Sequence, residues 1–269
     1  MNLYSLKVAY YDLKCELLRG FRGWKNLWAK EVPHRFVFVL CPTYCGSTLM
    51  QELLSTSPQV SANNVFGVRE GLSLPQVRKL FDYRQLWTDG YEMPWLAIRA
   101  EWMKYWDRSR AILLEKSPSN ILQMQPLAQY FAPSSFVLMV RHPYAHCESL
   151  IRRDGYTAEA AARFSLRCLH QQKKNLELDQ SSLLIRYEDL VRQPLASARQ
   201  LEAFLPKLSP LRIQGDFKAH NYKNKPLPIT DLNKEKIQRL SQQQKATIDA
   251  ILLPQEEILS YFSYSLASV

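Results

Sequence analysis

Nowhere in its 269 residues does the chain string together an apolar run close to the roughly 18 residues that a bilayer-spanning helix needs. Its first eighteen residues are interrupted by Lys7, Asp12, Lys14 and Glu16, so they do not read as the unbroken apolar stretch of a signal peptide. A cytoplasmic protein without stable membrane insertion is the expectation. Cysteine is sparse and unpaired. The five thiols, Cys15, Cys41, Cys45, Cys147 and Cys168, are odd in number and irregular in spacing, which argues against a disulfide framework and fits a reducing compartment. Cys41 and Cys45 lie close together, but no second Cys or His pair follows at zinc spacing, so both read as non-ligands. There is no repeat, no low-complexity segment and no basic tail. The net charge of +10 is scattered along the chain. Such a surplus suits a polyphosphorylated small molecule better than nucleic acid, and part of it is a solubilising surface.

What is present fits one α/β unit. A chain of this length buries roughly 75% of its unfolded surface and needs no metal or disulfide to hold it. No internal boundary is evident, so residues 1–269 read as a single domain. Residues 1–32 form an N-terminal helical segment rich in aromatic and basic residues: either a helix packed on the core or a membrane-surface anchor. After Pro33, Phe36 to Leu40 is a continuous apolar run of strand length, as expected for a parallel strand covered on both faces. Three further strands are expected at 111–114, 136–140 and 183–185. Each precedes a polar element and then a helical pattern, which predicts βαβ units and a parallel sheet. Residues 71–108 carry Trp87, Trp95, Trp102, Tyr105 and Trp106 and read as a substrate-facing insertion. Those aromatics would line a pocket or belong to the core. Residues 156–178 read as a long amphipathic helix, 207–232 as a Pro-rich extended loop, and 233–262 as helix.

Two segments carry chemistry. The loop Cys41 to Gly46 leaves the first strand and opens a helix at Ser47. Such a turn aims backbone N–H groups and the positive end of the helix dipole at one point. Gly46 permits close approach, and Ser47 and Thr48 add hydroxyls. An anion cradle results, although a plain helix cap explains Ser47 equally well. The G-x-x-x-x-G-K-S/T pattern of a nucleoside-triphosphate loop is missing. The second segment is Val140-Arg141-His142-Pro143, with Ser149 eight residues after Arg141. Arg141 ends a strand, where open α/β sheets bind ligands, and offers a bidentate fork for phosphate.

In order along the chain, Tyr44-Cys45-Gly46-Ser47-Thr48-Leu49, Glu115-Lys116-Ser117-Pro118, Arg141…Ser149 and Arg186-Tyr187-Glu188-Asp189-Leu190 resemble four motifs of the sulfotransferases that use 3′-phosphoadenosine-5′-phosphosulfate (PAPS). The variant is closer to the bacterial and Golgi type than to the cytosolic aryl type. The resemblance implies a P-loop-like three-layer fold, a central parallel sheet flanked by helices. It implies transfer of a sulfuryl group from PAPS, leaving the bisphosphate PAP, to a hydroxyl or amine of a small-molecule acceptor such as an alkaloid or other secondary metabolite. No metal is required by that chemistry. The 5′-phosphosulfate would lie on Tyr44, Cys45, Gly46, Ser47, Thr48 and Leu49, and the 3′-phosphate on Arg141 and Ser149. Tyr187 would touch the nucleotide.

The family carries a basic residue where this chain has Tyr44, which donates one hydrogen bond and no charge. Lys116 is the candidate replacement, and Glu70 the candidate general base, with His142 and His146 as rivals. Lys218, His220, Tyr222 and Lys223 are candidate lid residues. Acidic residues at 82, 89, 92 and 101 favour a cationic acceptor over an acidic polysaccharide, while the basic net charge points the other way. The competing readings are a small-molecule kinase and a nucleotide-binding relative that has lost catalysis. Oligomeric state is not legible.

Overall fold

The computed structural model describes residues 3–30, 32–208, 210–218 and 226–266. Five parallel strands form the central sheet: β1 (Arg35–Leu40), β2 (Val60–Ala62), β3 (Ile112–Glu115), β4 (Ser134–Val140) and β5 (Ser182–Arg186), in the order β2-β3-β1-β4-β5. The four expected strands are present, each displaced by a residue or two. The three-residue β2 was not anticipated, because Val60-Ser61-Ala62 is too short and too polar to stand out.

The unbroken apolar runs follow from burial on both faces. Phe36, Phe38 and Leu40 pack on one side of β1, against Leu113, Phe136 and an aromatic group from α3 (Trp95–Tyr105) and α4 (Met124–Tyr130). Val37 and Val39 pack on the other, with α2 (Ser47–Leu54) and α8 (Pro194–Phe204), through Met50, Leu53 and Leu201. A third cluster joins α5 (Pro143–Asp154) and α6 (Ala158–Leu176) to α10 (Gln242–Leu252) and α11 (Glu256–Tyr261). The expected C-terminal helix is therefore several: α9 (Asn233–Arg239) ends at Leu240, and Ser241 opens α10 with a capping box closed by Gln244. The remaining α-helices among the described residues are α1 (Leu3–Trp28) and α7 (Tyr187–Arg192).

The aromatic residues of 71–108 resolve mainly as core. Trp95, Trp102, Tyr105 and Trp106 are buried with Phe131. The indoles of Trp102 and Trp106 donate to the Gly71 and Leu114 carbonyls at 3.0 and 2.9 Å. Trp87 is partly buried against Phe164.

Topology makes the site. β1 is central, with β3 and β4 on its two sides in parallel register, Phe38 opposite Glu115 and Leu40 opposite Leu138. The carboxyl ends of the three strands therefore emerge side by side, bringing the loop before Ser47, Lys116 after β3 and Arg141 after β4 to one rim.

Candidate functional site

A cavity of about 680 Å³ opens at this rim. One wall is the turn into α2. Gly46, at φ 104°, is the N-cap, and no side chain caps the helix. Ser47 is thus the first helical residue, not a cap, and the positive end of α2 faces the cavity without a covering side chain. Thr43, Tyr44, Gly46, Ser47, Thr48 and Leu49 all line the cavity. Cys45 does not: its thiol is buried in the core beneath, and its N–H closes a turn onto the Pro42 carbonyl at 3.2 Å. Glycine is needed at 46 twice over. Its φ is left-handed, and a Cβ there would meet the Tyr187 ring at 2.7 Å.

Arg141 stands on the same cavity and is almost wholly buried. Its Nε donates to Asn233 Oδ1 at 2.7 Å and its Nη1 to the Tyr44 carbonyl at 2.8 Å, while the guanidinium lies 3.8 Å from the centre of the Tyr187 ring. Tyr44 adopts φ 63°, unusual for a non-glycine residue, and its carbonyl receives this charged donor. Asn233 is itself fixed by donating to Glu188 Oε1 at 2.6 Å, and Glu188 also accepts from the His142 N–H at 2.9 Å and the Tyr264 hydroxyl at 3.0 Å. The Arg-Tyr-Glu-Asp segment thereby gains distinct physical roles. Tyr187 is the platform and Glu188 the hub, while Arg186 and Asp189 pair with each other at 2.8 Å. Nη2 of Arg141 is buried and has no hydrogen-bond partner among the described residues. A buried charged N–H left unpaired costs about 1–3 kcal/mol, which an anion in the cavity would offset.

Ser149 is fully buried and is not on the cavity wall. Its hydroxyl donates to the Ala145 carbonyl at 2.9 Å and receives a hydrogen bond from Lys236 Nζ. Lys236 also pairs with Glu148 at 3.3 Å. Burial, with Arg141 nearby, pulls the Lys236 ammonium down to about 8. Lys236 and Asn233 escaped the sequence reading because they follow a Pro-rich stretch without a motif. Arg153, also on the cavity wall, could have been found: it lies one helical turn after Ser149.

The opposite wall holds Glu70 and Lys116. Lys116 is buried, donates to the Val68 carbonyl at 2.8 Å and lies 3.6 Å from Glu70 Oε1. Burial pushes the Glu70 carboxyl up and the Lys116 ammonium down, and each partly restores the charge of the other. Arg69, the neighbour of Glu70 in sequence, pairs with Glu52 instead. Glu115 and Ser117 hold the Glu70 loop from below, accepting from the N–H groups of Gly71 and Leu72 at 3.1 Å each. A Cβ on Gly71 would meet Asn63 Nδ2 at 2.4 Å and Glu115 Oε1 at 2.8 Å, so only glycine allows this approach. Burial raises the Glu115 carboxyl to about 7, against the stabilising pull of its donors.

The phenol of Tyr44 turns away from the anion-binding role its position suggests. It donates to Asp154 Oδ1 at 2.5 Å, with the Arg153 guanidinium 5.1 Å from its ring centre. Besides Arg141, two cations, Lys116 and Arg153, thus share the cavity with the α2 terminus. His142 and His146 are not on its wall. His142 packs on Tyr144 and Tyr264, and buried His146, held down to about 3, meets Ser165 at 3.1 Å. No residue from 71 to 108 lines the cavity, and Asp82, Asp89 and Glu101 are paired with Arg84, Arg167 and Lys104. His220, Tyr222 and Lys223 lie outside the described residues, as does the Lys218 side chain. Phe217, Leu227, Pro228 and Thr230, which flank that segment, do line the cavity. The five cysteines are buried thiols, and no cluster of His, Cys, Asp and Glu suited to a metal occurs among the described residues.

An anion cradle at a helix start, facing a buried arginine across the switch point of a parallel sheet, defines an α/β phosphate-loop-like protein with the fold found in sulfotransferases. The sulfotransferase family model matches residues 37–206. The chain belongs to the sulfotransferase family. No curated protein matches it in sequence. Among solved structures, the sulfotransferase domain of the Synechococcus PCC 7002 olefin synthase aligns over 88% of this chain and 97% of its own, with TM-score 0.56 and 22% identity. The sulfotransferase from Alicyclobacillus acidocaldarius aligns over 88% and 99%, with TM-score 0.55 and 14% identity. The sulfotransferase domain from the curacin biosynthetic pathway aligns over 88% and 100%, with TM-score 0.50 and 18% identity.

Proposed function

We propose that this chain transfers a sulfuryl group from PAPS to a hydroxyl or amine of a small-molecule acceptor, and that Glu70 is the base. The observation that carries this reading is the shared cavity. A cradle at the start of α2 and an arginine whose Nη2 has no partner among the described residues stand on the same space as a carboxylate of raised pKa. The α2 turn, through Gly46, Ser47, Thr48 and Leu49, would hold the 5′-phosphosulfate. Arg141, stacked on Tyr187 and backed by Ser149 and Lys236, would hold the 3′-phosphate. Lys116 and Arg153 supply the positive charge that Tyr44 does not.

In the reaction the acceptor oxygen or nitrogen forms a bond to sulfur while the bond from sulfur to the bridging oxygen breaks. The electron pair of that bond leaves with PAP. Glu70 takes the acceptor proton, and Lys116, 3.6 Å from Glu70, neutralises charge on the departing oxygens. Val68, Pro118, Phe217 and Leu227 give the cavity an apolar wall, which supports an acceptor with an apolar body.

The test is incubation of the full chain with sulfur-labelled PAPS and a panel of phenols, alcohols and amines. Thermal shifts with PAP and with ATP plus Mg²⁺ run alongside. Labelled product and a PAP-specific shift are expected. A shift with ATP–Mg²⁺ alone would favour a kinase, and a PAP shift without transfer to any acceptor would favour a non-catalytic relative.

A further inference from the structure

Helix α1 has one face in the protein and one outside it. On the inner face Cys15 is fully buried, Asn26 Nδ2 donates to the Trp106 carbonyl at 2.9 Å, and Asp12 and Lys25 pair with Arg78 and Asp107 at 2.7 Å each. The helix therefore turns much of its polar complement inward, the reverse of an ordinary surface helix. On the outer face Leu6, Tyr10, Leu13, Leu17, Phe21, Trp24, Leu27 and Trp28 are exposed, from 46% for Leu6 to 79% for Trp28. The positions 6, 10, 13, 17, 20, 24 and 27 alternate steps of four and three without a break, and none is charged.

We propose that this face pairs antiparallel with the same face of a second copy, forming a two-fold homodimer. The inference goes beyond the enzymatic reading and does not depend on it. An unbroken 3.5-residue period is what a facing helix demands, whereas a lipid surface asks only for one apolar side. Register follows from size. With the two-fold axis between residues 18 and 19, Leu17 meets the partner's Gly20, Leu13 the partner's Trp24, and Tyr10 the partner's Leu27. The largest side chain faces a medium one, and the central pair has room supplied by glycine. The flank agrees. Lys7, Lys14, Phe21 and Trp28 occupy one flanking position of successive heptads. In this register Lys7 faces the partner's Trp28, and Lys14 faces the partner's Phe21. Ammonium groups then lie against aromatic faces, as Lys14 already lies 4.3 Å from its own Tyr10 ring. Parallel pairing would set Phe21 beside the partner's Glu16 and lose these contacts. The eight side chains expose on the order of 1,000 Å² of apolar surface per copy, more than the ~800 Å² each partner gives to a standard stable interface.

Sedimentation equilibrium of the full chain should give twice its 31.4 kDa at tens of micromolar. L17E should weaken association at least tenfold with the circular dichroism spectrum unchanged, because Leu17 is exposed and its replacement removes no core contact. Mixed K7C and W28C chains should cross-link to each other in preference to themselves, undisturbed by the native thiols, which are all buried. A monomeric wild type, an L17E dimer, or like-with-like cross-links would overturn the proposal. So would a monomer that binds phosphatidylserine vesicles through Leu17, which would make the face a lipid contact.

Discussion

At the Arg141 end of the cavity the guanidinium is held by a side-chain acceptor, a backbone carbonyl and an aromatic platform, and its acceptor is tied to a carboxylate with two further donors. At the other end the Glu70 carboxyl meets Lys116 at 3.6 Å, while the loop carrying it is fixed through its backbone: the Glu70 carbonyl accepts from Asn64 and Ser73, and the N–H groups of Gly71 and Leu72 donate to Glu115 and Ser117. The difference fits the two tasks of the proposed reaction. A donor that never varies rewards a rigid, fully partnered clamp, whose ordering cost is met during folding. An acceptor that must enter, lose a proton and leave is served by a carboxylate with unsaturated hydrogen-bonding capacity and a pKa poised by burial.

Mutation should break the two ends differently. R141A is expected to weaken PAP binding by at least ~10²-fold in calorimetry, since it removes the charge and leaves Asn233 and the Tyr44 carbonyl without their donor. R141K should not rescue it, because an ammonium cannot fork to two acceptors and stack at once. E70Q should lower kcat by ~10²-fold or more with PAP affinity within about threefold of wild type. If E70Q weakened PAP binding as much as R141A, the separation of the two ends would be lost.

The pH profile sharpens the same point. A base must be ionised, so kcat should fall as pH drops through the Glu70 pKa, which burial lifts above the ordinary carboxylate value of 4.5. Lys116 opposes that lift, so K116M should move the acid limb to higher pH as well as lower kcat by roughly 10-fold. An acid limb that stays in place in K116M would mean that the pair does not titrate as a unit.

The donor end was the more legible in sequence, for a physical reason. Arg141, Gly46 and Ser47 belong to strand-to-helix turns, where backbone geometry restricts the residue and the local pattern reveals it. Asn233, the partner of Arg141, and Lys236, the partner of Ser149, come from α9, some ninety residues on, and nothing local marks a residue selected by a long-range contact. The parallel sheet could be read because strands buried on both faces are unbroken apolar runs; β2, three residues with a serine at its centre, could not. The aromatic stretch at 71–108 was ambiguous because composition cannot separate a core from a pocket. Its buried indoles reach backbone carbonyls, so replacing Trp102 by Ala should cost about 3–5 kcal/mol of stability.

The smallest expected effect concerns the residue that departs most from the family. Y44F should change PAP affinity and kcat by less than about threefold. The contribution of Tyr44 to the clamp is its carbonyl, aimed at Arg141 by a left-handed backbone that Phe can also adopt at the same strain. Its hydroxyl serves Asp154 at the partly exposed edge of the cavity, where a single hydrogen bond contributes about 0.5–1.5 kcal/mol to folding and adds no charge to the site. R153A removes a cavity-lining cation and should cost more, roughly 5- to 10-fold in kcat. The order of the two variants is therefore diagnostic. If Y44F were the more damaging, the phenol itself would be donating to the transferred group, and the positive charge lost at position 44 would not have been made up by Arg153 and Lys116.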